Sequence, residues 1–167
     1  MDIEADGPNP GDYSMISVGA VLVDETLDTT FYAHLRPISE QWVPNALAVS
    51  GFSREETLGF EDPKEVMERF RDWARSIEGG PCMFLADNTG FDWGFVNWYF
   101  HHFLGENPFG YNTDDIGSLY KGIVRDISKD FEHLRGSEHT HNALDDAIGN
   151  AQALNHMVTE LGLKLPR

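Results

Sequence analysis

Met1-Asp2-Ile3-Glu4, the first four residues, form the stretch around which the rest of the sequence can be organised. Side chains two positions apart on a β-strand point to the same face. A strand here would place Asp2 and Glu4 side by side and turn Ile3 toward a core. Two adjacent carboxylates repel unless a cation lies between them, and Mg²⁺ or Mn²⁺ prefers oxygen ligands. A frayed acidic terminus is the alternative for this tetrapeptide alone.

The composition predicts a folded protein. The 167 residues are 41% hydrophobic and 12% aromatic, which favours one domain over residues 1–167. The net charge of −16 disfavours binding to long polyanions but allows a metal-filled pocket that takes in one strand end. Cys82 is the single cysteine, which excludes an internal disulfide and suggests a cytoplasmic, reducing location. No apolar run has the length of a membrane span, so we expect no membrane partner.

The hydrophobic pattern predicts alternating strands and helices. Besides the first segment, strands are expected at Met15 to Val23, Thr29 to Leu35 and Cys82 to Ala86. Helices are expected at Asn45 to Val49, Asp62 to Ile77, Phe91 to Leu104, Asp114 to Val124 and Asn142 to Leu161, and Ser128 to Thr140 is expected to be a loop. This order is typical of an α/β domain with a mixed central β-sheet flanked by α-helices.

A third acid, Asp92, ends the segment Asn88-Thr89-Gly90-Phe91-Asp92, where a strand passes into a helix. The carboxyl ends of strands are where α/β folds usually place their sites. We therefore count Asp92 as a candidate site residue. The alternative is that Asp92 caps the following helix.

The segment His141-Asn142-Ala143-Leu144-Asp145-Asp146 opens the last helix. Asp146 could face the sheet with His141 over the same pocket, because the small alanines would let this helix approach closely. Two alternatives remain open: Asp145 and Asp146 could be a solvated pair near the helix N-terminus, or His139 could replace His141 as the functional histidine.

Taken in order, D-x-E on a strand, N-x-x-F-D at a strand-to-helix turn and H-x4-D opening a last helix resemble the DEDDh exonucleases. These are 3′-to-5′ exonucleases of the ribonuclease-H-like fold, and they include proofreading exonucleases, ribonuclease T and oligoribonuclease. The three motifs run from residue 2 to residue 146, which is almost the whole chain.

The resemblance implies a metal-dependent 3′-to-5′ exonuclease that releases nucleoside 5′-monophosphates from single-stranded nucleic acid. It implies that His141 is the general base. Two Mg²⁺ or Mn²⁺ ions would be held by Asp2, Glu4, Asp92 and Asp146. The 3′-terminal nucleotide would be held and stacked by Asn88 and Phe91 and would lie along the backbone of Ala5, Asp6 and Gly7.

The charge and the aromatic content add weaker expectations. The acidic composition favours short single strands, with RNA slightly preferred over DNA. Relatives are often dimers, and the aromatic segment 91–103 could carry enough apolar surface for a homodimer. The alternatives are a non-catalytic exonuclease-like binding module and a DNA proofreading or repair exonuclease.

Two departures from the family pattern stand out. Only Met1 precedes D-x-E here, whereas relatives have several apolar residues there, so either the strand is short or the true start lies upstream. Asp6 stands where many relatives have threonine, and a further acid beside the site should disfavour long polyanions.

Overall fold

The structure, a computed structural model, describes residues 1–165, and its first three strands form one antiparallel sheet. The strands are β1 (Asp2–Ala5), β2 (Met15–Val21) and β3 (Thr30–His34), in that order across the sheet. The three predicted strands are confirmed, although β2 and β3 are slightly shorter than expected. Pro166 and Arg167, which the predicted domain includes, lie outside the described residues.

A second, parallel ladder joins β4 (Phe84–Ala86) to β5 (Thr113–Asp115). The prediction that a helix begins at Asp114 is wrong, because β4 gives this short polar segment a partner. The backbone nitrogen of Met1 donates a hydrogen bond to the carbonyl of Leu85 at 2.9 Å and links the two ladders. The predicted mixed sheet therefore occurs as an antiparallel and a parallel ladder side by side.

The helices of the described residues include all five predicted ones, with Ile116 rather than Asp114 as the first residue of the fourth. They are α1 (Pro44–Val49), α2 (Arg54–Leu58), α3 (Pro63–Ser76), α4 (Thr89–Leu104), α5 (Ile116–Val124) and α6 (Ala143–Leu161). Helix α2, which the sequence analysis missed, begins with a capping box between Ser53 and Glu56. A 3-10 turn, Glu132–Leu134, interrupts the predicted loop. Within residues 1–165 no helix is both long and apolar enough to cross a bilayer.

Helix α6 lies directly against β2. A Cβ atom on Gly19 would be 2.2 Å from the backbone carbonyl carbon and oxygen of Ala143, so only glycine fits there. Ala143 and Ala147 are fully buried at this contact. The prediction that small residues let the last helix approach the sheet is confirmed, and the contact fixes the first turn of α6 over the strands.

The aromatic side chains of α4 are packed inside the molecule. Phe95, Tyr99 and Phe100 are buried, and the other aromatic residues of segment 91–103 pack against the same core. The large hydrophobic side chains that are exposed in residues 1–165 all lie elsewhere. Phe91, Trp93, Trp98 and Phe103 are only partly buried against that core, so the segment carries less free apolar surface than its composition suggests, and the homodimer stays a prediction.

An apolar cavity of about 390 Å³ lies where β2, β4 and α6 adjoin. Its lining includes Val21, Leu85, Ala147 and Ala151. None of the predicted site residues lines this cavity, so it is separate from the acids described next.

Candidate active site

Strand β1 carries the first two acids. Asp2 is paired with Gly19 and Glu4 with Ser17 of β2, so the two carboxylates project from one face. Ile3 points away from them into the main core. Asp2 is 5% exposed and Glu4 8%, which rules out a frayed acidic terminus.

Asp92 belongs to the first turn of α4, but its side chain does not cap that helix. Its Oδ1 accepts a hydrogen bond from the backbone N–H of Ile3 at 3.2 Å. Asn88 is the N-cap residue, and its carbonyl accepts from the N–H of Asp92 at 3.0 Å. The bond to Ile3 fixes the side chain of Asp92 against β1 and not on the end of its own helix, so the capping alternative is wrong.

Asp146 comes from the first turns of α6, which the side chain of Asn142 caps. Its Oδ1 accepts from the N–H of Thr140 at 3.0 Å, and its Oδ2 accepts from the N–H of His141 at 2.7 Å. Asp146 is fully buried whereas Asp145 is exposed. The alternative of a solvated acidic pair is therefore wrong for Asp146.

Two histidines border the acids. His141 Nδ1 lies 3.9 Å from Glu4 Oε1, and half of the His141 side chain is exposed. The backbone of His141 has a φ of +59°, a left-handed conformation that is uncommon outside glycine. His139 Nδ1 lies 2.9 Å from Asp146 Oδ2. Both histidines thus reach the cluster, His141 through Glu4 and His139 through Asp146.

The four predicted acids influence one another. Candidate ligand atoms of Asp2, Glu4 and Asp146 lie within 4.8 Å of one another. Burial raises the pKa of Glu4 to about 8, and repulsion from Asp146 and Asp92 adds to the shift. Burial likewise raises the pKa of Asp92 to about 7. The pKa of Asp2 is raised well above its ordinary value, by burial first and by the charge of Asp92 second.

The cluster has the chemistry of a divalent cation site. Asp2 Oδ2 and Asp92 Oδ2 are buried and have no hydrogen-bond partner in residues 1–165. A buried carboxylate is unfavourable unless a proton, a hydrogen bond or a cation compensates it. Carboxylate oxygens are the ligands that Mg²⁺ and Mn²⁺ prefer. The residues present therefore fit a divalent cation.

Two further residues of the site were missed in the sequence. Asp87 directly follows β4, and its negative charge contributes to the raised pKa of Asp2, Glu4 and Asp92. Its place at the end of a strand was the signal that could have identified it. Arg135 has no comparable signal, because it lies in the predicted loop 128–140. Its Nη2 nevertheless lies 2.9 Å from Asp146 Oδ1.

Of the five residues predicted to contact a nucleotide, two are accessible to solvent and three are buried. Asn88 is exposed and Phe91 is half-buried, both beside Asp92 at the start of α4. Ala5 and Gly7 are buried, and Gly7 lies so close to the ring of Tyr13 that a Cβ atom would be 2.1 Å from it. Asn88 and Phe91 are therefore the predicted contacts that solvent reaches.

The side chain of Asp6 is paired within the fold. Its Oδ1 accepts from the N–H of Ser14 at 2.6 Å, and its Oδ2 pairs with Arg54 Nη1 at 2.7 Å. Its backbone N–H donates to Ser14 and its carbonyl accepts from Val43. Arg54 therefore offsets the charge of Asp6, which weakens the argument that this extra acid disfavours long polyanions, and the nucleotide contact along its backbone stays a prediction.

A family model described as Exonuclease, the RNase_T family, matches residues 1–154. The chain belongs to this exonuclease family. The resemblance to DEDDh-type 3′-to-5′ exonucleases is confirmed, and the three motifs that carry it all lie within the matched residues.

A curated relative gives the same classification. The chain is 42% identical over 126 residues to the 3′-5′ DNA exonuclease Cap18 of Escherichia coli, a match that covers 74% of this chain and 67% of the relative. The name of that relative specifies DNA, whereas the sequence analysis slightly preferred RNA. The activity on nucleic acid is therefore supported, and the preference for RNA is not.

Solved structures show the fold. A 3′-exonuclease in a structure of 3′-end recognition of a histone mRNA stem-loop has a TM-score of 0.72 at 18% identity, with 96% of this chain and 62% of that one covered. S. pombe Pop2p in its Mg²⁺- and Mn²⁺-bound form has a TM-score of 0.71 at 14% identity, with 95% and 81% covered. This chain thus spans about three fifths of the first of these proteins. The predicted ribonuclease-H-like fold is confirmed.

Proposed function

We propose that this exonuclease domain removes nucleotides from the 3′ end of single-stranded nucleic acid and releases nucleoside 5′-monophosphates. One observation carries the proposal: acids from β1 and α6 meet in a buried cluster beside His141, and buried Asp92 of α4, which is bonded to the N–H of Ile3, lies close enough to raise the pKa of Asp2 and Glu4. A binding module of the same fold would not require this arrangement, since buried unpaired carboxylates are unfavourable in themselves.

The acids are suited to holding a pair of Mg²⁺ or Mn²⁺ ions. Asp2, Glu4 and Asp146 would supply most of the ligands, and the unpaired Oδ2 of Asp92 would add to the second ion. Two divalent cations bound this way activate water for in-line attack and stabilise the oxygen that leaves. Burial and mutual repulsion raise the pKa values of Glu4 and Asp92, so positive charge beside these carboxylates would be favourable.

His141 is the residue that we propose as general base. Water attacks the last phosphorus, the bond from phosphorus to the 3′-oxygen breaks, and the imidazole takes the proton from water while solvent protonates the leaving oxygen. The N–H of His141 is anchored to Asp146 at 2.7 Å, which fixes the backbone while the half-exposed ring keeps room to turn. This anchoring would place the base beside the acids without burying it.

The terminal nucleotide would lie at the start of α4. Phe91 is half-buried against Phe95, with ring centroids 5.1 Å apart, and can offer a face to a base of any kind. Such stacking is worth about 1–3 kcal/mol per base and discriminates little among bases. Exposed Asn88 can donate hydrogen bonds to the sugar or phosphate nearby. We therefore expect little base selectivity.

We propose DNA, in preference to RNA, as the substrate. The support is the 42% identity to a protein named a DNA exonuclease. The net charge of −16 further favours short strands, because a long polyanion would be repelled by the surface outside the pocket. The single, half-buried Cys82 is consistent with a reducing cytosol as the place of action.

A labelled-strand assay tests the proposal. Single-stranded DNA and RNA carrying a 5′ label are incubated with Mg²⁺ or Mn²⁺, and the expected product is a ladder that shortens from the 3′ end and disappears with EDTA. Asp146→Asn should abolish the ladder, whereas Asp145→Asn is the matched control, because this neighbouring acid is exposed. An unchanged rate in Asp146→Asn would refute the assignment, and binding without any ladder in the unmodified protein would favour the non-catalytic module.

A further inference from the structure

Two side chains outside the predicted acidic set converge on Asp2. Asp87 follows β4, and His139 lies in the loop before α6. Candidate ligand atoms of Asp2, Asp87 and His139 lie within 4.8 Å of one another. This group shares only Asp2 with the cluster of Asp2, Glu4 and Asp146.

The ring of His139 is oriented by its contact with Asp146. Nδ1 lies 2.9 Å from Asp146 Oδ2, and Nε2 lies 3.7 Å from Asp87 Oδ2. In the tautomer that donates from Nδ1 to Asp146, Nε2 carries the lone pair and faces Asp87. A carboxylate that holds one ring nitrogen while the other binds a cation is a recurrent arrangement in metal sites.

Asp2 supplies an independent sign that a ligand is missing from this group. The residue is 5% exposed, and its Oδ2 has no hydrogen-bond partner in residues 1–165. The guanidinium of Arg135 pairs with Asp146 and Asn150. The ammonium of Met1 interacts with the charge of Asp2, but it donates its hydrogen bond to the carbonyl of Leu85 and not to Asp2 Oδ2. The unpaired oxygen of Asp2 is thus left to a cation.

We propose that Asp2, Asp87 and Nε2 of His139 form a cation site with a nitrogen ligand, which selects Mn²⁺ or another first-row transition ion over Mg²⁺. Imidazole nitrogen favours transition ions, whereas Mg²⁺ is best served by oxygen ligands and water. This inference rests on the proposed function in one respect: the cation at this site would be one of the two cations described above.

The test is spectroscopy on bound Mn²⁺ together with competition by Mg²⁺. Electron spin-echo measurements on the Mn²⁺-loaded protein should show coupling to a nitrogen nucleus. His139→Gln should remove this coupling and lower the preference for Mn²⁺ over Mg²⁺ by about tenfold or more. His101→Gln is the matched control, because His101 is exposed on α4 and should leave both quantities unchanged.

Further variants keep the proposal testable if His139→Gln does not fold. Asp87→Asn should weaken Mn²⁺ binding while nitrogen coupling persists, because the imidazole remains. His141→Asn should also retain the coupling, since His141 Nδ1 lies near Glu4 instead. Coupling that survives in His139→Gln, or that disappears in His141→Asn alone, would overturn the proposal.

The same samples separate this inference from the proposed function. A ladder in Mg²⁺ with no nitrogen coupling in Mn²⁺ would overturn the His139 site and leave the exonuclease standing. Nitrogen coupling without a ladder in either metal would support the site and refute the proposed activity.

Discussion

The guanidinium of Arg135 lies 2.9 Å from the carboxylate of Asp146, and the two side chains are 1% and 0% exposed. Arg135 also donates to Asn150 Oδ1 at 2.8 Å, so it joins two turns of α6. A Cβ atom on Gly149 would lie 2.8 Å from Arg135 Nη2, so the lack of a side chain at Gly149 makes room for the guanidinium. Arg135 therefore holds one of the proposed cation ligands in place.

Arg135→Gln is expected to lower the free energy of unfolding by about 3 kcal/mol, because it leaves a buried charge on Asp146 without its partner. Urea denaturation measures the loss. Arg75→Gln is the control, since its ion pair with Glu106 is exposed and should contribute less than about 1 kcal/mol. Equal losses in the two variants would show that burial of the Arg135 pair has no energetic effect.

Gly19→Ala is expected to destabilise the fold by roughly 2–3 kcal/mol and to reduce exonuclease activity, because its Cβ atom would push α6 and Asp146 away from the strands. The added atom would lie 2.2 Å from the backbone of Ala143. Gly122→Ala adds a Cβ atom in open space on α5 and should be neutral or slightly stabilising. Thermal unfolding and the labelled-strand assay test both variants, and a fully active, fully stable Gly19→Ala would contradict the prediction.

His141→Asn is expected to lower kcat by about 100-fold or more, since the proposed base is lost. Asparagine is the informative replacement because it tolerates the positive φ of +59° at this position. Single-turnover cleavage measures the rate, and fluorescence anisotropy measures affinity for the strand, which should stay within about twofold because the acids proposed to hold the cations remain. A rate unchanged from the wild type would transfer the role to His139.

The free energy of unfolding of the metal-free protein is expected to fall, by roughly 1–3 kcal/mol, as pH rises from about 4.5 to about 8. Burial raises the pKa of Glu4 to about 8 from its ordinary value of 4.5, so the folded state binds the extra proton between these limits. Stability must then decrease with pH until the folded state also loses that proton.

Urea denaturation across this pH range in EDTA measures the slope. Glu4→Gln removes one of the titrating groups and should make the slope shallower, with Asp2 and Asp92 contributing what remains. Mn²⁺ should also make the slope shallower in the unmodified protein, because it replaces the proton by a cation. A slope that is the same in Glu4→Gln would show that other groups cause it.

Local rules predicted the strand and the helix starts that carry the four acids, and the family resemblance combined these acids into one predicted set. The period of two on a strand places Asp2 and Glu4 on one face, and the cap at Asn142 fixes where α6 begins. The cap of α3 follows the same logic, with Asp62 accepting from the N–H of Lys64 and Glu65. Each of these features depends on a few neighbouring residues, which is why the sequence reveals them.

The parts that were missed depend on contacts between distant segments. Strand β5 is polar, and it forms because β4 lies alongside it. No sequence pattern around Arg135 marks it as a site residue, and only the folded chain brings it to Asp146. The pairing of Asp6 was missed for the same reason, because its partner Arg54 belongs to a helix that the sequence analysis did not identify.

The contact between Gly19 and Ala143 has a pharmacological consequence. The cavity of about 390 Å³ is lined by Ala20 and Ala147, the residues next to that contact along β2 and one turn along α6. An apolar compound larger than this space would have to push α6 away from β2, which would move Asp146 away from Asp2 and Glu4. Such an inhibitor would act from outside the acidic cluster, without occupying the place of the strand that is being degraded.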